Sequence, residues 1–174
     1  DYMGRLASLL RGGAHCCDVA VLYPMRSIWA SYRPRAQALP WGDDPAGPWP
    51  EPITSLSRAY PNLVRGLLRA QIDLDIIDEQ AVQEAAVRDG ALRVADEAYR
   101  VLILPPLDSL ELATARALGT FARGGGVLVT TGELPRMAEC AENTALLQNE
   151  LSTWLDEGLV LRAPADELPN TLRS

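Results

Sequence analysis

The chain has 174 residues, 48% of them apolar and 22% charged, and a formal net charge of −7. That length supports one substantial core, so a single domain is expected over residues 1–174. The acidic balance argues against nucleic acid as a partner, because phosphates need a basic face, and no apolar run is long enough to cross a bilayer as a helix.

Met3, Leu6, Leu9 and Leu10 share one face of a helix over 2–11, which Gly12 and Gly13 end. This opening segment lacks the apolar stretch and cleavage site of a signal peptide. The chain begins at Asp1 and not at Met, so it is expected to be a piece of a longer protein, whose missing part would decide a cytoplasmic or secreted location. "DVAVLYP" (18–24) is a short apolar run closed by proline, the pattern of a buried strand. From Ser27 the sequence predicts a long loop. It holds six prolines between Arg33 and Pro52, with Trp41 and Trp49 among them, and has no hydrophobic period.

Leu63, Val64, Leu67 and Leu68 then mark an amphipathic helix, with Pro61 expected in its first turn. "IDLDII" (72–77) is the second strand and "DEQAVQEA" a short helix. Asp89–Gly90 stands between two runs that can pair as a hairpin. "YRVLILPP" (99–106) is a strand stopped by two prolines. A helix over 109–123 carries Leu110, Leu112, Ala113, Ala117, Leu118 and Phe121, and Gly124–Gly126 close it. "VLVTT" is the next strand. Asn143 or Thr144 is the expected cap of a helix with Leu147, Leu151, Trp154 and Leu155 on its face, ended by Gly158. "LVLR" (159–162) is a last strand, followed by a short terminal helix.

This alternation predicts a three-layer α/β fold of flavodoxin-like type, a parallel sheet with helices on both faces. Ligands of such sheets bind beyond the carboxyl ends of the strands, which places Tyr23–Trp29, Pro105–Leu107 and Thr130–Glu133 on one rim. The rim residues chosen for ligand binding or an interface are Tyr23, Arg26, Trp29, Trp41, Trp49, Thr131 and Glu133. None is expected to be catalytic. His15, the sole histidine, lies at the amino end of the first strand, with Cys16 and Cys17, so no histidine reaches a rim nucleophile. No metal or cofactor is expected either. "HCC" lacks zinc-loop spacing, and the acids of "DLDIIDE" (73–79) read as strand-end and capping groups.

Several stretches together resemble a known family: "RLASLLRGGAHCCDVAVLYP", "DLDIIDEQAV", "GALRVADEAYRVLILPPLDSL" and "GTFARGGGVLVTTGELP". They resemble the class I glutamine-amidotransferase-like domain that follows the catalytic barrel in certain bacterial glycoside hydrolases. The likeness is to α-L-rhamnosidase-type enzymes of family 106 and, more loosely, to the trimerisation domain of family 42 β-galactosidases. It spans most of residues 2–135. In true amidotransferases the strand matching "VLVTT" leads into a cysteine nucleophile, whereas here Thr130 or Thr131 stands there. The resemblance implies a non-catalytic domain whose partners are the barrel of the same chain or further copies of it. The alternatives are a small-molecule or carbohydrate binding domain with its site on the rim, or an enzyme using Glu133 or the 73–79 acids with a metal.

The proline-rich loop is expected to dock outside the domain, since its two tryptophans are more apolar surface than a solvated loop needs. Replacing Trp41 and Trp49 together with Ala is then expected to leave this domain's melting temperature nearly unchanged and to lower the activity or stability of a full-length enzyme. Unfolding of the domain itself would place the loop in its own core.

Overall fold

The computed structural model describes residues 2–11, 15–32 and 51–173. Helix α1 (Tyr2–Leu10) is followed by strand β1 (Val19–Leu22), α2 (Met25–Ser31) and α3 (Glu51–Arg69). Then come β2 (Asp75–Ile77), α4 (Glu79–Glu84), β3 (Ala86–Arg88), β4 (Ala91–Val94), β5 (Glu97–Tyr99) and β6 (Val101–Leu104). The chain finishes with α5 (Leu112–Arg123), β7 (Val127–Thr130), α6 (Ala141–Asp156), β8 (Val160–Arg162) and α7 (Leu168–Thr171).

Five strands form one parallel sheet in the order β2-β1-β6-β7-β8. The central strands are apolar because both of their faces are covered. All four residues of β1 are buried, as are Leu102, Ile103, Leu104, Leu128 and Val129. The outer strands β2 and β8 leave Ile76 and Leu161 about half exposed. Helix α3 packs against α2 and α7, and α5 packs against α4 and α6 in a second group. Crossovers between parallel strands are right-handed as a rule, so the connection from β1 to β2 and those from β6 through β7 to β8, which run towards opposite edges of the sheet, put these groups on opposite faces. The result is the expected three-layer, flavodoxin-like architecture.

A second, antiparallel sheet of order β3-β4-β5 lies between α4 and β6. Its first turn is the Asp89–Gly90 hairpin, with φ of 54° and 71°, the left-handed pair that matches the twist of two joined strands. Strand β5 was not separated in the sequence from the apolar run after it.

Four other expectations are corrected. Residues 27–31, expected in the loop, are helical in α2, which begins at Met25. Residues 51 and 52 begin α3, while 33–50, with Trp41 and Trp49, lie outside the described residues. Pro61 sits inside α3 and not in its first turn. An interior proline costs about 3 kcal/mol. Ile53, Leu56, Leu63 and Leu67 are all buried along α3, and each stabilises by roughly 1.5–3 kcal/mol, so the helix continues through it. The cap of α6 is Cys140, whose Sγ accepts from Asn143 N at 3.5 Å, and not Asn143 or Thr144. Its buried face is Leu147, Leu151 and Trp154, with Leu155 left 50% exposed. The apolar face of α1 is also open to solvent, with Met3 66% and Leu9 80% exposed.

Two glycines give a paired test. A methyl group at Gly126 would overlap the buried Phe121 ring, whereas one at Gly66, inside α3, meets nothing within 4 Å. Gly126→Ala is expected to lower unfolding free energy in urea by about 1–3 kcal/mol. Gly66→Ala is expected to raise it by about 0.5–1 kcal/mol. Equal effects of the two would contradict this packing.

Candidate functional site

In an open parallel sheet the ligand crevice lies between the two adjacent strands whose connections leave to opposite sides. In this order they are β1 and β6. The loop after β1 leads through Tyr23 and Pro24 into α2, and the loop after β6 runs from Pro105 to the start of α5. Ser27 joins them. Its Oγ accepts from Asp108 N and Ser109 N, both at 3.1 Å, and donates to Ser109 O at 3.2 Å. Ser27 is only 4% exposed, so the bonds tie the two loops together from within.

The next feature of the rim is the start of α5. The first N–H groups of a helix lack partners within it, and its positive end attracts anions. Here the chain supplies the anions itself. Glu79 Oε2 accepts from Glu111 N and from Thr114 Oγ1, both at 2.9 Å. Glu139 Oε2 accepts from Leu112 N at 3.2 Å. Arg26 reaches across from α2, its Nε 3.7 Å from Glu79 Oε1 and its Nη2 paired with Glu111. Gln83 completes the network with bonds to Thr114 Oγ1 at 2.8 Å and to Glu111.

The two carboxylates respond oppositely to this setting. Burial pushes Glu79 above the ordinary carboxyl value, more than the Thr114 hydrogen bond and the Arg26 charge pull it down. Burial also raises Glu139, but bonds from its own backbone, Leu112 N and the Asn143 amide outweigh it, and the net shift is downward.

The end of β7 carries the other candidates. Thr130 is buried and its hydroxyl donates to Gly132 O at 3.0 Å. Thr131 Oγ1 lies 3.4 Å from Leu104 O. Glu133 is open to solvent, 3.8 Å from Arg162 on β8. Tyr23 meets Tyr60 edge-on at 5.4 Å, and Trp29 is 63% exposed. Thus Tyr23 and Arg26 turn inward at the head of α2, Trp29 faces out, and Thr131 and Glu133 stand at the far side. A cleft of about 240 Å³ remains, lined among others by Ser27, Leu56, Pro106, Asp108, Glu133 and Arg136. Pockets for small molecules usually enclose about 300–1,000 Å³.

Sequence reasoning missed Ser27, Glu79, Thr114 and Glu139. Asp78 does cap α4, accepting from Ala81 N at 2.8 Å, but Glu79 beside it serves α5 instead. The available signal was the start of α5, whose own cap residue, Glu111, makes no side-chain cap bond. At the opposite, amino end of the sheet, His15 stands among Asp73, Asp75 and Glu97. The hydrogen bond to Asp73, together with the charges of all three acids, raises its pKa above the ordinary 6.5.

No protein-family model and no curated protein matches the chain. Solved structures do. A catalytic mutant of a GH42 β-galactosidase from G. stearothermophilus aligns at 20% identity with a TM-score of 0.51, covering 79% of this chain and 16% of that one. In fold, the chain is similar to part of a β-galactosidase. A β-galactosidase from Bifidobacterium adolescentis aligns at 20% identity with a TM-score of 0.46, covering 79% of this chain and 54% of that one. The chain therefore spans only part of either enzyme.

Ser27→Ala is expected to cost about 1–3 kcal/mol, because two backbone donors lose their acceptor. Chemical denaturation measures it, and a change under about 0.5 kcal/mol, the ordinary surface range, would show the crevice is not held by this hydroxyl. Glu79 also predicts a pH effect. Its native pKa lies above its unfolded one, so charge burial destabilises at high pH. That destabilisation is relieved as pH falls through the raised native value towards the ordinary 4.5. The stability of the wild type minus that of Glu79→Gln is expected to grow over this window. A difference that shrinks with acid would reverse the assignment.

Proposed function

We propose that this chain is a non-catalytic structural or interaction domain of a glycoside hydrolase, one that packs on a catalytic barrel or mediates contacts between subunits. The observation that carries the reading is the filled rim. Where this fold type receives ligands, Ser27 bridges the two switch-point loops, and Glu79 and Glu139 take the helix N-terminus that would meet an anion. Charged rim groups are spent on holding α2, α4 and α5 together. The fold likeness to part of a GH42 β-galactosidase supports the hydrolase context, as do the amidotransferase-like stretches of the sequence. Which glycoside the parent enzyme would cut, a β-galactoside or an α-L-rhamnoside, is left to the barrel in this reading.

The cleft beside Asp108, Glu133 and Arg136 favours a second reading, a carbohydrate-binding domain. Titration with galactose and with rhamnose separates the two. The interaction reading expects no saturable heat or amide-shift change at these residues, and saturation there would favour binding. The chain alone is also expected to release no product from aryl β-galactosides or aryl α-L-rhamnosides above buffer. Turnover that disappears in Glu133→Gln would overturn the non-catalytic reading.

A further inference from the structure

The fold assembles a donor set at the amino end of the sheet that the sequence does not place together. Backbone bonds from Arg100 N and Val101 N to Asp18 O, at 2.8 and 2.9 Å, hold the segment before β1 against the start of β6. This puts His15 over the first residues of β2 and β5. Nδ1 of His15 lies 3.4 Å from Asp75 Oδ2 and 3.5 Å from Glu97 Oε1, and the three ligand atoms fall within 4.8 Å of one another.

These separations are informative. A charge-assisted N–H···O bond is usually about 2.7–2.9 Å long. A tetrahedral cation with bonds of about 2.0–2.1 Å sets its ligands about 3.3 Å apart. Nδ1 makes no hydrogen bond to either acid among the described residues, while Nε2 lies 3.3 Å from Asp73 Oδ2. One ring nitrogen thus faces the two carboxylates and the other is oriented by a third, the arrangement in which a carboxylate fixes the tautomer of a metal-binding histidine. Asp75 is oriented as well, accepting from the buried Tyr99 hydroxyl at 3.0 Å. Charge points the same way. His15 is the one basic group ion-paired with these three acids among the described residues, so even a protonated ring leaves the cluster negative.

We propose that His15, Asp75 and Glu97 form a divalent-cation site of mixed nitrogen and oxygen donors, suited to zinc, with a water in the fourth position and Asp73 holding the imidazole. The expectation of no metal takes only the sequence neighbours of His15 and reads the 73–79 acids as strand-end and capping groups, whereas the fold brings Asp75 of β2 and Glu97 of β5 to His15. The site is independent of the rim and of the role proposed for it.

Zinc titrated into the whole chain in mildly alkaline buffer, followed by calorimetry and thermal unfolding, tests the site. One equivalent is expected to bind and to raise the melting temperature, reversibly with chelator. His15→Ala should abolish the effect, Glu97→Gln should weaken it at least as much as Asp73→Asn, and Asp73→Asn should weaken binding by about 10–100-fold. Cys16→Ser should leave it unchanged. Absence of binding, binding that persists in His15→Ala, or binding that disappears with Cys16 would each overturn the proposal.

Discussion

The carboxyl end of the sheet depends on one buried carboxylate. Glu79 leaves the end of β2 and accepts two hydrogen bonds from the start of α5, one from a main-chain N–H and one from Thr114. A carboxylate in this position is unfavourable by burial and favourable by the helix end, the hydrogen bonds and Arg26. Burial wins in the titration of the group, so it sits above its ordinary pKa, yet the bonds fix α5 on the sheet. Removing the side chain leaves a backbone donor without its acceptor and Arg26 without one of its two acidic partners.

That arrangement also decides what the rim is available for. A flavodoxin-like sheet offers two generic assets to a ligand, a crevice at the strand switch and a helix N-terminus. Ser27 spans the first, and Glu79 with Glu139 occupies the second. Of the groups that remain exposed, Trp29 faces outward, and Glu133 and Arg136 line the cleft beside Asp108. The proposed packing role rests on these particular contacts and not on the fold, since function resides in sites and not in folds.

Much of the architecture was legible in the sequence. Buried parallel strands are continuous apolar runs, so "DVAVL", "VLIL" and "VLVT" stood out, and Asp89–Gly90 announced its hairpin through the backbone angles those residues tolerate. Helix α2 was hidden because seven residues before a proline-rich stretch show too little period. The reach of α3 was hidden because Pro61 reads as a start signal, while tertiary burial of Ile53 and Leu56 carries the helix past it. The site was less legible for a different reason. Its interactions join residues far apart, Ser27 to Ser109 and Glu79 to Thr114, and His15 to acids on two other strands. Local spacing carries no record of such pairs. Of that rim network, residue type points only to Arg26, while Ser27, Glu79 and Glu139, which organise the rim with it, have ordinary local context.

Amide hydrogen exchange at Asp108, Ser109, Glu111 and Leu112 tests most directly whether the rim is closed by the chain itself. These N–H groups are bonded to Ser27, Glu79 and Glu139. The account predicts protection close to that of the central strands, lost at Asp108 and Ser109 in Ser27→Ala and at Glu111 in Glu79→Ala. Exchange of these four amides at the rate of an exposed loop in the unaltered protein would show an open rim and contradict it.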